Sequence, residues 1–220
     1  MRYGTLAVVA VVGACGVWGS VPAAAKSSNL NGEYLHLAPQ TRGLYRMMEC
    51  VMNRDPVKAR FILDQELGSE TQRQSVGQFL EGAEECLGNS GGAFRSNYEL
   101  ALGTLAEELM SKDGIEPIAP SQPVLAAPGG GTFEWRWQAL SKQRTAEVFL
   151  LGRCLVRRHF AESRAVLSTE PTSSSERKAF NNMKLQIADC IPASQSRILQ
   201  PMILRAAIAL AFYQSARETK

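Results

Sequence analysis

The stretch CVMNRDPVKARFIL, residues 50–63, returns as CLVRRHFAESRAVL, residues 154–167, at an offset of 104 positions. A gapless alignment at this offset pairs Cys50 with Cys154 and Cys86 with Cys190, so that both cysteine spacings are 36. The same offset pairs Arg54 with Arg158, Arg60 with Arg164, Leu63 with Leu167, Glu66 with Glu170, Ser69 with Ser173, Arg73 with Arg177, Ser90 with Ser194 and Leu100 with Leu204. Two cysteines and three arginines in register without a gap favour an internal duplication.

Apolar residues recur at helical spacing on both sides of the quoted stretch. In RGLYRMMECVMNR, residues 42–54, they fall every three or four positions, and Asp55 with Pro56 then predicts the start of a second helix. Period-two alternation of β-branched residues is almost absent, so we expect no sheet. The predicted fold class is all-α, with two duplicated four-helix units that are each closed by one disulfide.

The domain organisation follows from the repeat and from changes in composition. We predict a signal peptide at 1–25, a mobile N-terminal segment at 26–41, helical repeat 1 at 42–112, a Pro/Gly-rich linker at 113–131 and helical repeat 2 at 132–220. Four prolines and four glycines in residues 113–131 exclude a regular element there. The apolar spacing of Phe133, Trp137 and Leu140 predicts a helix that runs on into the second cysteine phrase.

The first 25 residues have the pattern of a secretory signal. Arg2 precedes an apolar run, and Ala23 and Ala25 satisfy an A-x-A cleavage rule, which predicts export to the periplasm. VGAC at Val12–Cys15 also resembles a lipobox, so a lipoprotein anchored through Cys15 remains the alternative, and we expect membrane attachment only in that case.

Export would place the four cysteines of the mature chain in an oxidising compartment. Three connectivities are possible, and duplicated units favour Cys50–Cys86 with Cys154–Cys190. A closed loop of this length stabilises a fold by about 3.8 kcal/mol in the chain-entropy model. The sequence has no CxxC motif, and its histidines are His36 and His159, so we expect neither a metal site nor a cofactor.

One cluster of carboxylates resembles an acid/base group. Glu81, Glu84 and Glu85 lie close together in EGAEEC, yet the second copy has Leu185, Ala188 and Asp189 at these positions. Such a cluster is more typical of a solvated helix face, so we assign no catalytic, cofactor-binding or metal-binding residue.

Other polar residues have structural interpretations. We expect His159 to be a surface or structural residue and the cationic run of Arg153, Arg157 and Arg158 to form an exposed helix face, although it is also able to bind an anionic partner. For the arginines shared by the copies we expect ion pairs, for example with Glu66 and Glu170. Trp135 and Trp137 are candidates for a contact surface or for the core.

The charge is nearly balanced, with 24 basic and 21 acidic residues, which argues against a nucleic-acid partner. It divides unevenly, however. Residues 41–112 carry 8 basic and 11 acidic side chains, a net charge of −3, and residues 146–220 carry 11 basic and 6 acidic ones, a net charge of +5. Opposite signs favour docking of the two copies on each other or head-to-tail association of chains.

The signal peptide, the doubled cysteine spacing and the phrase CVxxRDPxxARxxL at residues 50–63 together resemble a group of uncharacterised periplasmic proteins of alphaproteobacteria, particularly sphingomonads. The resemblance implies a periplasmic helical protein and brings no activity with it. In the second copy His159 and Phe160 replace Asp55 and Pro56, so we expect a different helix start there.

The sequence therefore favours a non-enzymatic binding or interaction role in the periplasm. Paired helices bury one face and leave another for a partner, which we expect to be an envelope protein or a second copy of the chain. One alternative is a cell-envelope hydrolase that uses the Glu81, Glu84 and Glu85 cluster. The other is a redox or stress-responsive envelope protein that uses the disulfides.

Overall fold

The computed structural model describes residues 30–81, 83, 85–86, 98–117, 129–135 and 145–218. The predicted signal peptide at 1–25, with Cys15, lies outside these residues. In the described part of the chain, no helix is both long and apolar enough to cross a bilayer.

The structure is mostly helical, as predicted. The described helices are α1 (Leu30–Arg54), α2 (Pro56–Asp64), α3 (Glu70–Glu81), α4 (Tyr98–Asp113), α5 (Thr145–Arg158), α6 (Phe160–Leu167), α7 (Ser174–Asn182), α8 (Lys184–Asp189) and α9 (Pro201–Glu218). Helix α1 begins inside the segment 26–41 that the sequence leaves without a regular element. The second half has α7 and α8, separated at Met183, where the first half has the single helix α3.

Two short strands correct the expectation of no sheet. Strand β1 (Thr132–Trp135) pairs in parallel with β2 (Ser196–Leu199), so the helix predicted from residue 132 onward is wrong over residues 132–135. Residues 136–144 lie outside the described part of the chain. The glycines before β1 explain the strand, because their backbone lies against the end of α8. The amide of Gly130 donates to the carbonyl of Ala188 at 2.9 Å, and that of Gly131 donates to Ile191, also at 2.9 Å.

The starts of α2 and α6 differ as the sequence indicates. The Asp55 carboxylate accepts a hydrogen bond from the amide of Lys58 at 2.9 Å, and Pro56 is the first residue of α2. Helix α6 begins at the equivalent position without a side-chain cap. There the ring of His159 turns to Asp189 instead, with Nε2 2.9 Å from Oδ2.

Two disulfides, Cys50–Cys86 and Cys154–Cys190, join α1 to the residues after α3 and α5 to the residue after α8. Their Cα atoms are 5.7 and 5.8 Å apart. Each bond therefore lies within one half of the chain, and the contacts between the halves are noncovalent.

Helices α4 and α9 pack against each other at the centre of the core, and α5 packs on a second side of α9. Helix α9 is buried along nearly its whole length. A side chain at Gly103 of α4 would overlap the backbone of Ala206, and one at Gly152 of α5 would overlap Ala207. Glycine facing alanine at both crossings lets these helices approach closely.

Candidate functional site

The turns α2–α3 and α6–α7 have the same backbone geometry at an offset of 104. Gly68 and Thr172 both adopt a left-handed conformation, with φ of 79° and 64°. The amide of Gly68 donates to Gln72 Oε1 at 3.0 Å, and that of Thr172 donates to Glu176 Oε2 at 2.7 Å. Gln72 and Glu176 are each 1% exposed, so each turn folds around one buried side chain of the next helix.

In the first half the buried side chain is a neutral amide. Gln72 Nε2 donates to the carbonyl of Ile62 at 2.9 Å, and the hydroxyl of Tyr98 donates to Gln72 Oε1. A side-chain amide has both donors and acceptors, so Gln72 serves the turn and the end of α2 at once.

In the second half the buried side chain is a carboxylate, which has no hydrogen to donate when ionised. Arg205 supplies the missing donors. Its Nη1 atom lies 3.0 Å from Glu176 Oε1 and donates to the carbonyl of Val166 at 2.9 Å, which is the position that Ile62 has in the first half. Its Nη2 atom donates to the carbonyl of Thr169 at 2.9 Å. The Arg205 side chain is only 3% exposed, so both charges are buried as a pair.

A second carboxylate, Glu107 of α4, completes the cluster. Arg205 pairs with Glu107 through Nη2 and Nε, and the hydroxyl of Tyr45 on α1 donates to Glu107 Oε2 at 2.8 Å. Burial lowers the pKa of the Arg205 guanidinium, but the charge of Glu107, its hydrogen bond to Arg205 and the smaller contributions of Tyr45 and Glu176 together raise it by more, so Arg205 stays charged. Burial, and then the charge of Glu107, raise the pKa of the Tyr45 hydroxyl well above its ordinary value. The cluster therefore fixes the α6–α7 turn to α1 and α4.

No motif in the sequence singles out Arg205, which lies within an apolar segment. A single arginine among the apolar residues of a buried helix is itself a signal, because a buried guanidinium needs acidic partners. The sequence alone does not identify those partners. Glu107 and Glu176 are 98 and 29 positions away in the chain.

An open groove lies between α6 and α7, with a volume of about 430 Å³. It is lined by Ala161, Glu162, Ala165, Thr169, Ser175, Lys178, Ala179, Asn182 and Met183. Thr169 connects the groove to the buried cluster, because its Oγ1 donates to the carbonyl of Val166 at 2.6 Å and accepts from Arg205 Nη1 at 3.3 Å. The buried ion pair thus holds one wall of the groove in place.

At the equivalent positions of the first half, larger apolar side chains extend into solvent. Val57 and Phe61 are the counterparts of Ala161 and Ala165, and they are 73% and 60% exposed. Next to them, Gln65 Nε2 donates to Ser75 Oγ at 3.0 Å. The small side chains of α6 make room for a ligand, whereas α2 presents two large apolar side chains to solvent.

The described residues of the predicted carboxylate cluster do not form a pair. Glu81 is exposed, and Glu85 forms an ion pair with Arg54 at 3.1 Å in which the Glu85 side chain is 86% exposed. Glu84 lies outside the described residues. Of the tryptophans, Trp135 contributes its backbone to β1, and Trp137 lies outside the described part.

Four of the shared arginines form ion pairs with residues other than Glu66 and Glu170. Arg54 pairs with Glu85, and Arg158 pairs with Asp189 at 2.9 Å; both acids directly precede the second cysteine of their half. Arg60 pairs with Asp113 at 2.6 Å and Arg164 pairs with Glu116 at 3.4 Å, and the guanidinium of Arg73 lies 4.6 Å from the centre of the Tyr98 ring. These contacts support structural roles.

Three comparisons bear on the identity of the chain. No known protein family, curated protein or solved structure matches it. Within the described ranges, no group of three or more histidine, cysteine, aspartate or glutamate side chains is placed to hold a metal ion. The groove and the cluster beneath it are therefore the features of the structure that bear on function.

Proposed function

We propose that this chain is an exported, non-enzymatic binding protein made of two duplicated units, and that the groove between α6 and α7 receives an apolar side chain of a protein partner. The observation that carries the proposal is the open groove of about 430 Å³. Its α6 wall has alanines at positions 161 and 165, where the same surface of the first half has a valine and a phenylalanine.

The chemistry of the groove favours binding of an apolar group. Ala161 and Ala165 are one helical turn apart on the same face of α6, and Ala179 on α7 has the same spacing to Met183, the residue that follows α7. Burial of a side chain between these faces is driven by the hydrophobic effect, and a fully buried phenylalanine or leucine contributes about 1.5–3 kcal/mol. Glu162 and Lys178 at the groove can orient a partner through charge.

Duplication is supported by features that recur at the offset of 104. They are the starts of α2 and α6 and of α3 and α7, the two disulfide spacings, the left-handed turn residues and the ion pairs beside the second cysteines. The proposed units fit the described helices α1 to α4 of the first half, and in the second half a break at Met183 separates α7 from α8.

Export to the periplasm is supported by the two disulfides, since such bonds persist in oxidising compartments. Intact mass spectrometry of the exported protein tests it. We expect cleavage after Ala25 and a mass gain that corresponds to four alkylated thiols only after reduction. A mass that retains residues 1–25, or thiols that react before reduction, would contradict export by this route.

The binding role is tested by photo-crosslinking in the native host. A benzophenone amino acid in place of Ser175, an exposed residue that lines the groove on α7, should form protein adducts. The same probe at Leu185, which is 81% exposed on α8, is the control for an apolar position outside the groove. The partner identified from the adduct should bind the purified protein and lose binding on Ala161→Glu. Equal adducts from both positions, or none from position 175, would refute the groove as the binding surface.

A further inference from the structure

The groove on the second half and the projecting residues on the first half occupy equivalent surfaces of the two copies. We infer that the groove binds the Val57 and Phe61 face of α2 from a second copy of this chain, so that molecules associate head to tail. This inference depends on the proposed binding role of the groove and names its partner.

The shapes of the two surfaces are complementary. Val57 and Phe61 are four residues apart on one helix, so they form a single apolar ridge, and both are more than half exposed. A cavity of about 150 Å³ is enough to hold a benzene molecule. The groove of about 430 Å³ therefore has room for the phenyl ring of Phe61 and for Val57 beside it.

The charges near the two surfaces are complementary as well. Lys58 lies three residues before Phe61, and Glu162 lies three residues before Ala165 at the groove. Within the described part of the chain neither Lys58 nor Glu162 forms an ion pair, so each is available to a second molecule. The surrounding halves also have opposite net charges, −3 for residues 41–112 and +5 for residues 146–220.

The ridge and the groove belong to different packing neighbourhoods of one molecule. Helix α2 packs chiefly against α1, α3 and α4, and α6 packs chiefly against α5, α7 and α9. A ridge that enters a groove must therefore come from another chain. Such a contact joins two different surfaces, so repetition produces a closed ring or an open chain of molecules.

Sedimentation velocity on the purified mature protein tests the inference, at concentrations from about 5 to about 200 μM, which cover weak specific association. We expect the average mass to rise with concentration. Phe61→Ala, which removes the ridge, and Ala165→Arg, which fills the groove, should each weaken association at least about tenfold. Both positions are exposed, so both variants should fold, and circular dichroism and the intact disulfides verify this.

The decisive measurement mixes the two variants. Phe61→Ala retains its groove and Ala165→Arg retains its ridge, so the mixture should form a one-to-one complex that grows no further. Leu185→Ala, a change at an exposed apolar residue of α8, should associate like the unchanged protein.

Three outcomes would overturn the inference. They are a monomeric protein over the whole range of concentration, unchanged association in both variants, or failure of the mixed variants to form a complex. A protein that stays monomeric but crosslinks a different partner from position 175 would refute this inference and leave the binding role of the groove standing. Self-association without any crosslink from position 175 would refute both.

Discussion

The α2–α3 and α6–α7 turns each contain one residue in the left-handed conformation, but the buried side chain that closes the turn differs between them. Gln72 closes its turn with a neutral amide, whose other hydrogen-bond partners in the described residues include the carbonyl of Ile62 in α2 and the hydroxyl of Tyr98 in α4. Glu176 closes its turn with a charge, which brings in Arg205, and Arg205 brings in Glu107 from the first half. The hydrogen bonds of Gln72 lie within the first half of the chain, whereas the ion pairs of Arg205 make the groove region dependent on packing between the halves.

The largest expected effect is the loss of the buried cation. Arg205→Met leaves Glu176 buried without its partner, and removal of one member of a buried ion pair typically costs about 3–5 kcal/mol. We therefore expect the free energy of unfolding, measured by urea titration, to fall by that amount. A loss under about 1 kcal/mol would show that the cluster does not hold the halves together.

A double substitution gives the α6–α7 turn the residues that the first half has at the equivalent positions. Glu176→Gln combined with Arg205→Ala reproduces the pair Gln72 and Ala101 at an offset of 104. We expect this variant to recover most of the stability lost in Arg205→Met, because the amide can donate to the carbonyl of Val166 as Gln72 does to Ile62. A double variant as unstable as the single one would mean that the two turns are not chemically interchangeable.

A pH-dependent difference between the halves involves Glu108, whose counterpart in the second half is the buried Phe212. Burial first, and then the charges of Glu107 and Glu49, raise the pKa of Glu108 from 4.5 to about 7. The folded state thus binds this proton more tightly than the unfolded state. The unfolding free energy should fall as the pH rises from about 4.5 to about 7 and stay low above it.

Glu108→Gln removes this ionisation. Since Glu108 is half-buried and partly screened by water, we expect the variant to be more stable by about 1–2 kcal/mol at pH 8 and to have a flatter stability profile between pH 4.5 and 7. Urea titrations at several pH values measure both effects. An unchanged slope in Glu108→Gln would assign the pH dependence to another group.

The left-handed turn residues predict a smaller effect. A β-branched residue at positive φ is strained, and Thr172 has the position that Gly68 has in the first half. Thr172→Gly should raise the melting temperature, with a gain of about 1 kcal/mol, and Gly68→Ala should lower it by a similar amount. Small changes of melting temperature in both variants would indicate that the backbone of each turn adjusts and relieves the strain.

The smallest expected difference concerns the ion pairs beside the second cysteines. Asp189 also accepts from His159 and is 36% exposed in its pair with Arg158, whereas Glu85 is 86% exposed in its pair with Arg54. We expect Asp189→Asn to lower the unfolding free energy by about 1 kcal/mol and Glu85→Gln to leave it nearly unchanged. The reverse order would mean that exposure does not determine the strength of these pairs.

Features with a local cause were predictable from the sequence. The start of α2 follows from Asp55 and Pro56, and the helical character follows from apolar spacing in segments such as residues 42–54. Features that depend on distant partners were not. Strand β1 exists because Gly130 and Gly131 bond to residues near 190, and the groove exists because alanines replace large residues while Arg205 holds the turn.

The glycine–alanine crossings at α9 have a consequence for the order of folding. Gly103 on α4 faces Ala206, so the first half completes its core only with a helix synthesised about a hundred residues later. The Cys50–Cys86 bond needs only residues of the first half and can form before α9 arrives. A chain that emerges into an oxidising compartment from its N-terminus would thus pass through a crosslinked, incompletely packed state, and the arrival of α9 would bury α4 and close both halves together.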